Sequence, residues 1–250
     1  MDEAAAPPGV VMAAGSQLIP AQVAEYHQNG VLVVAGFFAH PEVAELAAAC
    51  EQVWTAEPIH PGNPRLQWRG HVDGTKVPDR LDPVADRSPR LTALTLDPRI
   101  LQVAHELLGE PPVFFKDKVI MKRPGTLGYG MHQDYPYWEP LGAPADAYVT
   151  LFVPLDAFDG ASGSIEVFLG QHDRRWPPPP ADPLDCDERA IDLRRGRMLE
   201  LRPGDLAAMH SLTPHRSPTN GSSQSRRVLI LTYTRASAGD LRAQYLRKSS

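Results

Sequence analysis

His132 and Asp134 stand one residue apart in the segment Met131-His132-Gln133-Asp134-Tyr135-Pro136-Tyr137-Trp138. In extended backbone, side chains repeat with a period of two, so an imidazole and a carboxylate at this spacing share a face. Two such donors can occupy adjacent corners of a divalent first-row metal. A third ligand from elsewhere would complete a two-histidine, one-carboxylate face with open positions, the arrangement of non-haem Fe(II) oxygen chemistry. The triplet alone is a weak signal, because H-x-D also arises by chance on surface strands. The distal half of the chain supplies a partner: Gly204-Asp205 is followed by His210 and His215, and then by Arg226-Arg227 entering the apolar run Val228-Leu229-Ile230-Leu231. A histidine there would close the metal face. An arginine would hold a carboxylate in a paired contact, which its planar fork does better than lysine. Periodicity does not choose between His210 and His215, because Thr213-Pro214 interrupts the strand pattern between them. It does require that only one of Arg226 and Arg227 point inward, since adjacent strand residues face opposite ways.

The elements that must carry these residues follow from patterning. Residues 1–19, rich in Ala, Pro and Gly, are expected to form a flexible tail, with a single domain over 20–250. A helix is expected from Pro20 to the Asn29-Gly30 stop, then the short strand Val31-Leu32-Val33-Val34, then a helix from Pro41 towards Trp54. Residues 57–90, with many prolines and charges, read as a long loop, and 97–108 as a further helix ended by Gly109. After Pro112 the period changes to two. Strands are expected over 113–121, 148–155, 164–169, 198–201, 206–210 and 227–234, separated by Gly and Pro clusters. The stretch 173–196, with Trp176 and Pro177 to Pro180, interrupts them as an extended loop at one mouth of the barrel. A helical front followed by strands predicts a mainly β fold with flanking helices, a sandwich or barrel.

Bulk properties exclude several classes. The chain of 250 residues is long enough to bury a core, and a formal net charge of −5 disfavours a general nucleic-acid binder. No apolar run approaches the roughly 18 residues needed to span a bilayer. The acidic start Met1-Asp2-Glu3 does not resemble a secretory signal, and Cys50 and Cys186 are too few and too distant to predict a disulfide framework. A cytoplasmic location is expected, with a small-molecule substrate and neither nucleic acid nor membrane as partner.

Over roughly residues 20–235 the chain resembles the phytanoyl-CoA dioxygenase family of Fe(II)- and 2-oxoglutarate-dependent oxygenases. The segments that carry the resemblance, in the family's order, are the N-terminal helix with Asn29-Gly30 and Val31-Leu32-Val33-Val34, Asp117 through Gly125, His132 through Trp138, Gly163 through His172, Gly204-Asp205, and His215 through Arg226. The family's usual Gly-Ser-His turn reads Gly170-Gln171-His172 here. The resemblance implies a double-stranded β-helix, a cupin-like jelly-roll barrel, which agrees with the strand pattern. It implies His132, Asp134 and His215 as iron ligands, and Arg226 as the residue binding the far carboxylate of 2-oxoglutarate. Ser217, Thr150 and Lys118 match further co-substrate positions, with Lys76 in the long loop as an additional candidate. Tyr135 and Trp138, together with Tyr137, are candidates to line the substrate pocket. The implied reaction consumes O₂ and 2-oxoglutarate, yields succinate and CO₂, and hydroxylates a small organic molecule, or cyclises or epimerises it after the same hydrogen abstraction. A tailoring step in secondary metabolism is expected in preference to acyl-CoA turnover. Two rival readings are a catalytically silent barrel that binds a small molecule or partner, and a cupin-type metal enzyme that does not use 2-oxoglutarate. The latter would have no need of Arg226.

Overall fold

The computed structural model describes residues 17–180 and 182–248. Most of the expected tail, residues 1–16, lies outside the described residues, and Leu18 is already packed in the core. Helix α1 (Pro20–Asn29) begins on a proline and ends at Gly30, whose φ of 77° is the left-handed cap that a Cβ would disfavour. A Cβ there would also strike Thr213 and the His172 ring, so this turn is pressed against the segment that precedes His215. The turn leads into β1 (Val31–Val34), and α2 (His40–Ala56) follows with Pro41 in its first turn. The stretch read as a loop is more ordered than its composition predicts. It holds a hairpin of β2 (Leu66–Gly70) and β3 (Lys76–Leu81), then the short helix α3 (Pro89–Thr95). Helix α4 (Pro98–Leu108) is capped by the Asp97 carboxylate, which accepts from the Arg99 N–H at 2.9 Å.

The β-rich remainder comprises β4 (Pro112–Lys122), β5 (Tyr129–His132), β6 (Tyr148–Pro154), β7 (Glu166–Phe168), β8 (Gly196–Met198), β9 (Leu206–His210), β10 (His215–Ser217) and β11 (Arg226–Arg235). A helical turn, α5 (Tyr135–Trp138), follows β5, and α6 (Arg242–Lys248) follows β11. Seven strands form one sheet in the order β1-β9-β6-β11-β4-β3-β2, and four form a second in the order β5-β10-β7-β8. Every paired neighbour is antiparallel.

The alternation in the central strands assigns each face of the large sheet. Val119 and Met121, Val149, Leu151 and Val153, and Leu229, Leu231 and Tyr233 share one buried cluster with the apolar sides of α1 to α4. The alternate positions Ile120, Phe152, Val228 and Ile230 pack instead with Val167 of the small sheet and with Ile165, Leu199 and Leu201. Helices thus cover one face of the large sheet, and the small sheet stands over the other, the jelly-roll arrangement. Among the described residues, no helix is long and apolar enough to cross a membrane.

Candidate active site

The space between the two sheets opens into a cavity of about 390 Å³, within the range of small-molecule sites. His132, Asp134 and His215 meet in its wall, each offering a donor atom, and these atoms all lie within 4.8 Å of one another. The two histidines are brought together by sheet register: His215 on β10 is the direct cross-strand partner of His132 on β5, with ring centroids 4.1 Å apart. Asp134 arrives differently from the period-two expectation. The strand ends at His132, and Asp134 has helical angles (φ −73°, ψ −32°) at the head of α5, so a turn and not a pleat aims its carboxylate at the imidazoles.

Gln133, between the two, points away and fastens the corner. Its side-chain amide donates to Leu212 O (2.5 Å) and Arg174 O (2.8 Å), and its carbonyl accepts from the Trp176 N–H (2.9 Å). The Tyr135 N–H donates to Ser211 O (3.0 Å). These bonds tie the stretch before His215 and the start of the 173–196 insert to the His132 strand. The insert is itself an extended run with two single 3-10 turns beside the site.

Both imidazoles are set in one tautomer. Nδ1 of His132 lies 2.8 Å from Gly130 O, and Nδ1 of His215 lies 2.9 Å from Thr213 O. A carbonyl only accepts, so each Nδ1 must carry the proton, and each Nε2 keeps its lone pair for a metal. Burial, with His215 alongside, pushes His132 down to about 4, and burial also lowers His215, so both rings are neutral near pH 7. Burial works against the Asp134 charge, but Lys118 and the two imidazoles outweigh it and hold the carboxyl below its ordinary value. Two neutral imidazoles and a carboxylate on one side of an open space form the donor set a divalent first-row metal requires.

Arg226 lines the same cavity. It is 2% exposed, its Nε and Nη1 have no hydrogen-bond partner, and its guanidinium lies 4.3 Å from the Phe158 ring centroid. Burial lowers it to about 10, still charged at neutral pH. A buried cation with unpaired N–H groups is costly unless an anion arrives to meet it. The dicarboxylate 2-oxoglutarate fits that need. Arg227, its neighbour on the other face, is already paired with Asp156 (2.9 Å) and Glu51 (3.3 Å). Arg226 faces Lys122 across the β11–β4 ladder, and Lys122 Nζ donates to Ser217 Oγ (2.9 Å), Gly163 O (3.1 Å) and Pro218 O. Lys122 is a buried brace beside Arg226 that the sequence reading did not single out.

The remaining expected residues divide. Ser217, Lys118 and Trp138 line the cavity, and so does Tyr137, half-exposed at its mouth. Burial draws Lys118 down to about 8 against the pull of Asp134. Thr150 and Tyr135 are outside the lining: the Thr150 hydroxyl is 3.3 Å from that of Thr232, and the Tyr135 hydroxyl donates to Ala143 O at 3.2 Å. Lys76 is exposed at the start of β3 and also outside it. His210 is likewise not in the wall; its Nδ1 accepts from the Leu212 N–H (3.1 Å) and its ring lies 5.1 Å from that of His172. The cavity adds residues that the sequence reading missed, chiefly Arg69 and Arg80 from the β2–β3 hairpin, Tyr129, and Tyr245 from α6. The signal for the hairpin was Asp73-Gly74, a turn pair flanked by residues of strand type.

Comparison with known proteins agrees with this geometry. The sequence model of the family described as phytanoyl-CoA dioxygenase matches residues 26–228. The chain is 28% identical to a 2-aminoethylphosphonate dioxygenase of an uncultured bacterium, HF130_AEPn_1, over 90% of this chain and 85% of that protein. It is also 28% identical to a methylphosphonate hydroxylase of Gimesia maris, over 91% and 85% respectively. In three dimensions it is similar to EctD from S. alaskensis, solved with 2-oxoglutarate and 5-hydroxyectoine, with a TM-score of 0.76, 19% identity, and coverage of 91% of this chain and 80% of that one, a likeness of fold. By the extent of the family match, this chain belongs to the phytanoyl-CoA dioxygenase family and is a non-haem Fe(II)- and 2-oxoglutarate-dependent dioxygenase.

Proposed function

We propose that His132, Asp134 and His215 hold Fe(II), that Arg226 takes the 5-carboxylate of 2-oxoglutarate with Ser217 beside it, and that Lys118 flanks the co-substrate at its metal end. The observation that carries this reading is Arg226, a guanidinium with unpaired N–H groups in the same cavity as the histidine-aspartate cluster. A cupin-type metal enzyme working without 2-oxoglutarate would have no use for it. Bound iron, with 2-oxoglutarate and O₂, supplies the oxidising power that removes hydrogen from a C–H bond. The protein's own part is placement and exclusion of water. The tautomer-locked histidines present their lone pairs, Arg226 anchors the far end of the co-substrate, and Trp138 and Tyr137 wall the side where the organic substrate enters.

The substrate is a small molecule in this reading, of the size of the phosphonates named for the two relatives. A cavity of about 390 Å³ suits that size and does not enclose a whole coenzyme A thioester. That favours tailoring of a small metabolite over acyl-CoA turnover. Hydroxylation is the expected outcome, with cyclisation or epimerisation open to the same hydrogen abstraction. Two buried unpaired cysteines suit a reducing compartment, and we place the protein in the cytoplasm. Purified protein supplied with Fe(II), ascorbate, O₂ and 2-oxoglutarate should form succinate, slowly without substrate, and Asp134→Ala should abolish it. No succinate from the wild-type protein at any iron concentration would remove the reading.

A further inference from the structure

Among the described residues lining the cavity, four cations serve neither the metal face nor the co-substrate, and one of the four forms no ion pair. Lys116 is neutralised by Asp82 (2.9 Å) and bonded to the Tyr245 hydroxyl (2.5 Å). Arg216 is paired with Glu166 (2.7 Å) and Glu188 (3.0 Å). Arg69 Nε also lacks a hydrogen-bond partner, but its guanidinium lies 3.7 Å over the Tyr129 ring and its Nε is ion-paired with Asp79 at 3.8 Å. Arg226 and Lys118 belong to the co-substrate reading above. Arg80 is left over. It lines the cavity, its Nε is buried without a hydrogen-bond partner, and it forms no ion pair among the described residues. Asp79 and Asp82 lie close enough to feel its charge but are engaged elsewhere. Asp79 accepts from the Tyr129 hydroxyl at 2.5 Å, and Asp82 from Lys116 and from the Tyr245 hydroxyl at 3.0 Å.

Its position separates it from the co-substrate anchor. On β4 the inward residues run Lys122, Ile120, Lys118; Arg226 faces Lys122, whereas Arg80 faces Ile120 from the opposite neighbour, β3. It is therefore one inward step, roughly 7 Å, along the sheet from the level of Arg226. It shares the cavity lining with Lys118 and Tyr137 as well as with Ile120. A guanidinium held there without a partner is a binding group for an anion other than 2-oxoglutarate.

We propose that Arg80 binds the anionic head of the organic substrate, so that the substrate class is small molecules carrying a compact oxyanion, either tetrahedral or planar. This rests on the reading of the site as a 2-oxoglutarate oxygenase. The test is calorimetric titration, without O₂, of protein loaded with Fe(II) and 2-oxoglutarate, using ethylphosphonate, propionate and neutral propionamide as probes. At least one anion should bind about tenfold or more tightly than propionamide, and whichever anion binds more tightly identifies the head group. Arg80→Gln should weaken that binding by about tenfold or more, and Arg80→Lys should retain most of it, while 2-oxoglutarate affinity stays within about twofold in both. Unchanged anion affinity in Arg80→Gln, propionamide binding as tightly as the anions, or an equal loss of 2-oxoglutarate affinity would overturn the assignment. Should the glutamine variant fail to fold, Arg80→Lys and the charged-against-neutral comparison in the wild type still decide it. Failure of the underlying reading shows itself earlier, as wild-type protein that does not bind 2-oxoglutarate before any probe is added.

Discussion

Arg226 and Arg227 are adjacent residues of one type with opposite surroundings, and the contrast gives the sharpest test at the residue scale. Arg226 turns into the cavity with two guanidinium nitrogens, Nε and Nη1, unpaired, whereas Arg227 turns out to Asp156 and Glu51. A charge-assisted paired contact with a carboxylate in a partly dry pocket is worth roughly 2–4 kcal/mol. Arg226→Ala should therefore raise the 2-oxoglutarate requirement about 30- to 1,000-fold while Fe(II) binding holds. Arg227→Ala should leave the requirement alone and cost about 1 kcal/mol of stability at most. Steady-state kinetics in 2-oxoglutarate for both variants checks this; the reverse pattern would mean that the co-substrate lies on the other face of β11. Single residues also mark the reach of sequence reasoning. Thr150, a co-substrate position by family resemblance, shares parity on β6 with Phe152, which lines the cavity, but parity gives a face and not a depth, and the Thr150 hydroxyl sits outside the lining against Thr232. Tyr135 and Trp138, both candidates for the substrate pocket, sit on a helical turn, which buries Trp138 in the wall and sends the Tyr135 hydroxyl to Ala143.

At the scale of elements, the site depends on two short strands held in one register, β5 and β10, which bring His132 opposite His215. Gly128 just before β5 is where they approach most closely, since a Cβ there would overlap the Ser217 carbonyl on β10. Backbone cannot yield as a flexible side chain does. Gly128→Ala should cost about 1–3 kcal/mol and weaken Fe(II) binding by shifting His215. Urea unfolding together with iron titration reads both, and an unchanged iron affinity would show that this register does not position the ligand. Elements with strong terminators or a long period were legible. Pro20 and Gly30 bound α1, and the apolar alternation of β4, β6 and β11 announces the large sheet. Strands of three or four residues, such as β5 and β10, are too short for a period to register, so periodicity does not choose between His210 and His215; the family resemblance implies His215, and the cross-strand pairing sets it beside His132. The β2–β3 hairpin was read as loop because Pro78 breaks its pattern and because Arg69 and Arg80, charged residues at strand positions, face a cavity and not water. A polar inner face is what a binding site needs, and in sequence it looks like a solvated loop.

Across the whole molecule, helices close one face of the large sheet, the small sheet stands over the other, and α6 adds Tyr245 to the wall between them. The three proposed ligands come from two chain segments far apart in sequence, 132–134 and 215, so the metal face exists only when β5 and β10 pair within the small sheet. It is reinforced from behind by Gln133, which joins the His132 corner to the segment leading to His215. In the proposed assignment His132, Asp134 and His215, and not His210, hold iron for 2-oxoglutarate. The most direct measurement is the visible absorbance of the Fe(II)·2-oxoglutarate complex under anaerobic conditions, titrated in wild type, His215→Ala and His210→Ala. The band should form in the wild type, vanish in His215→Ala and persist in His210→Ala; a wild-type band in His215→Ala would show that His215 is not an iron ligand.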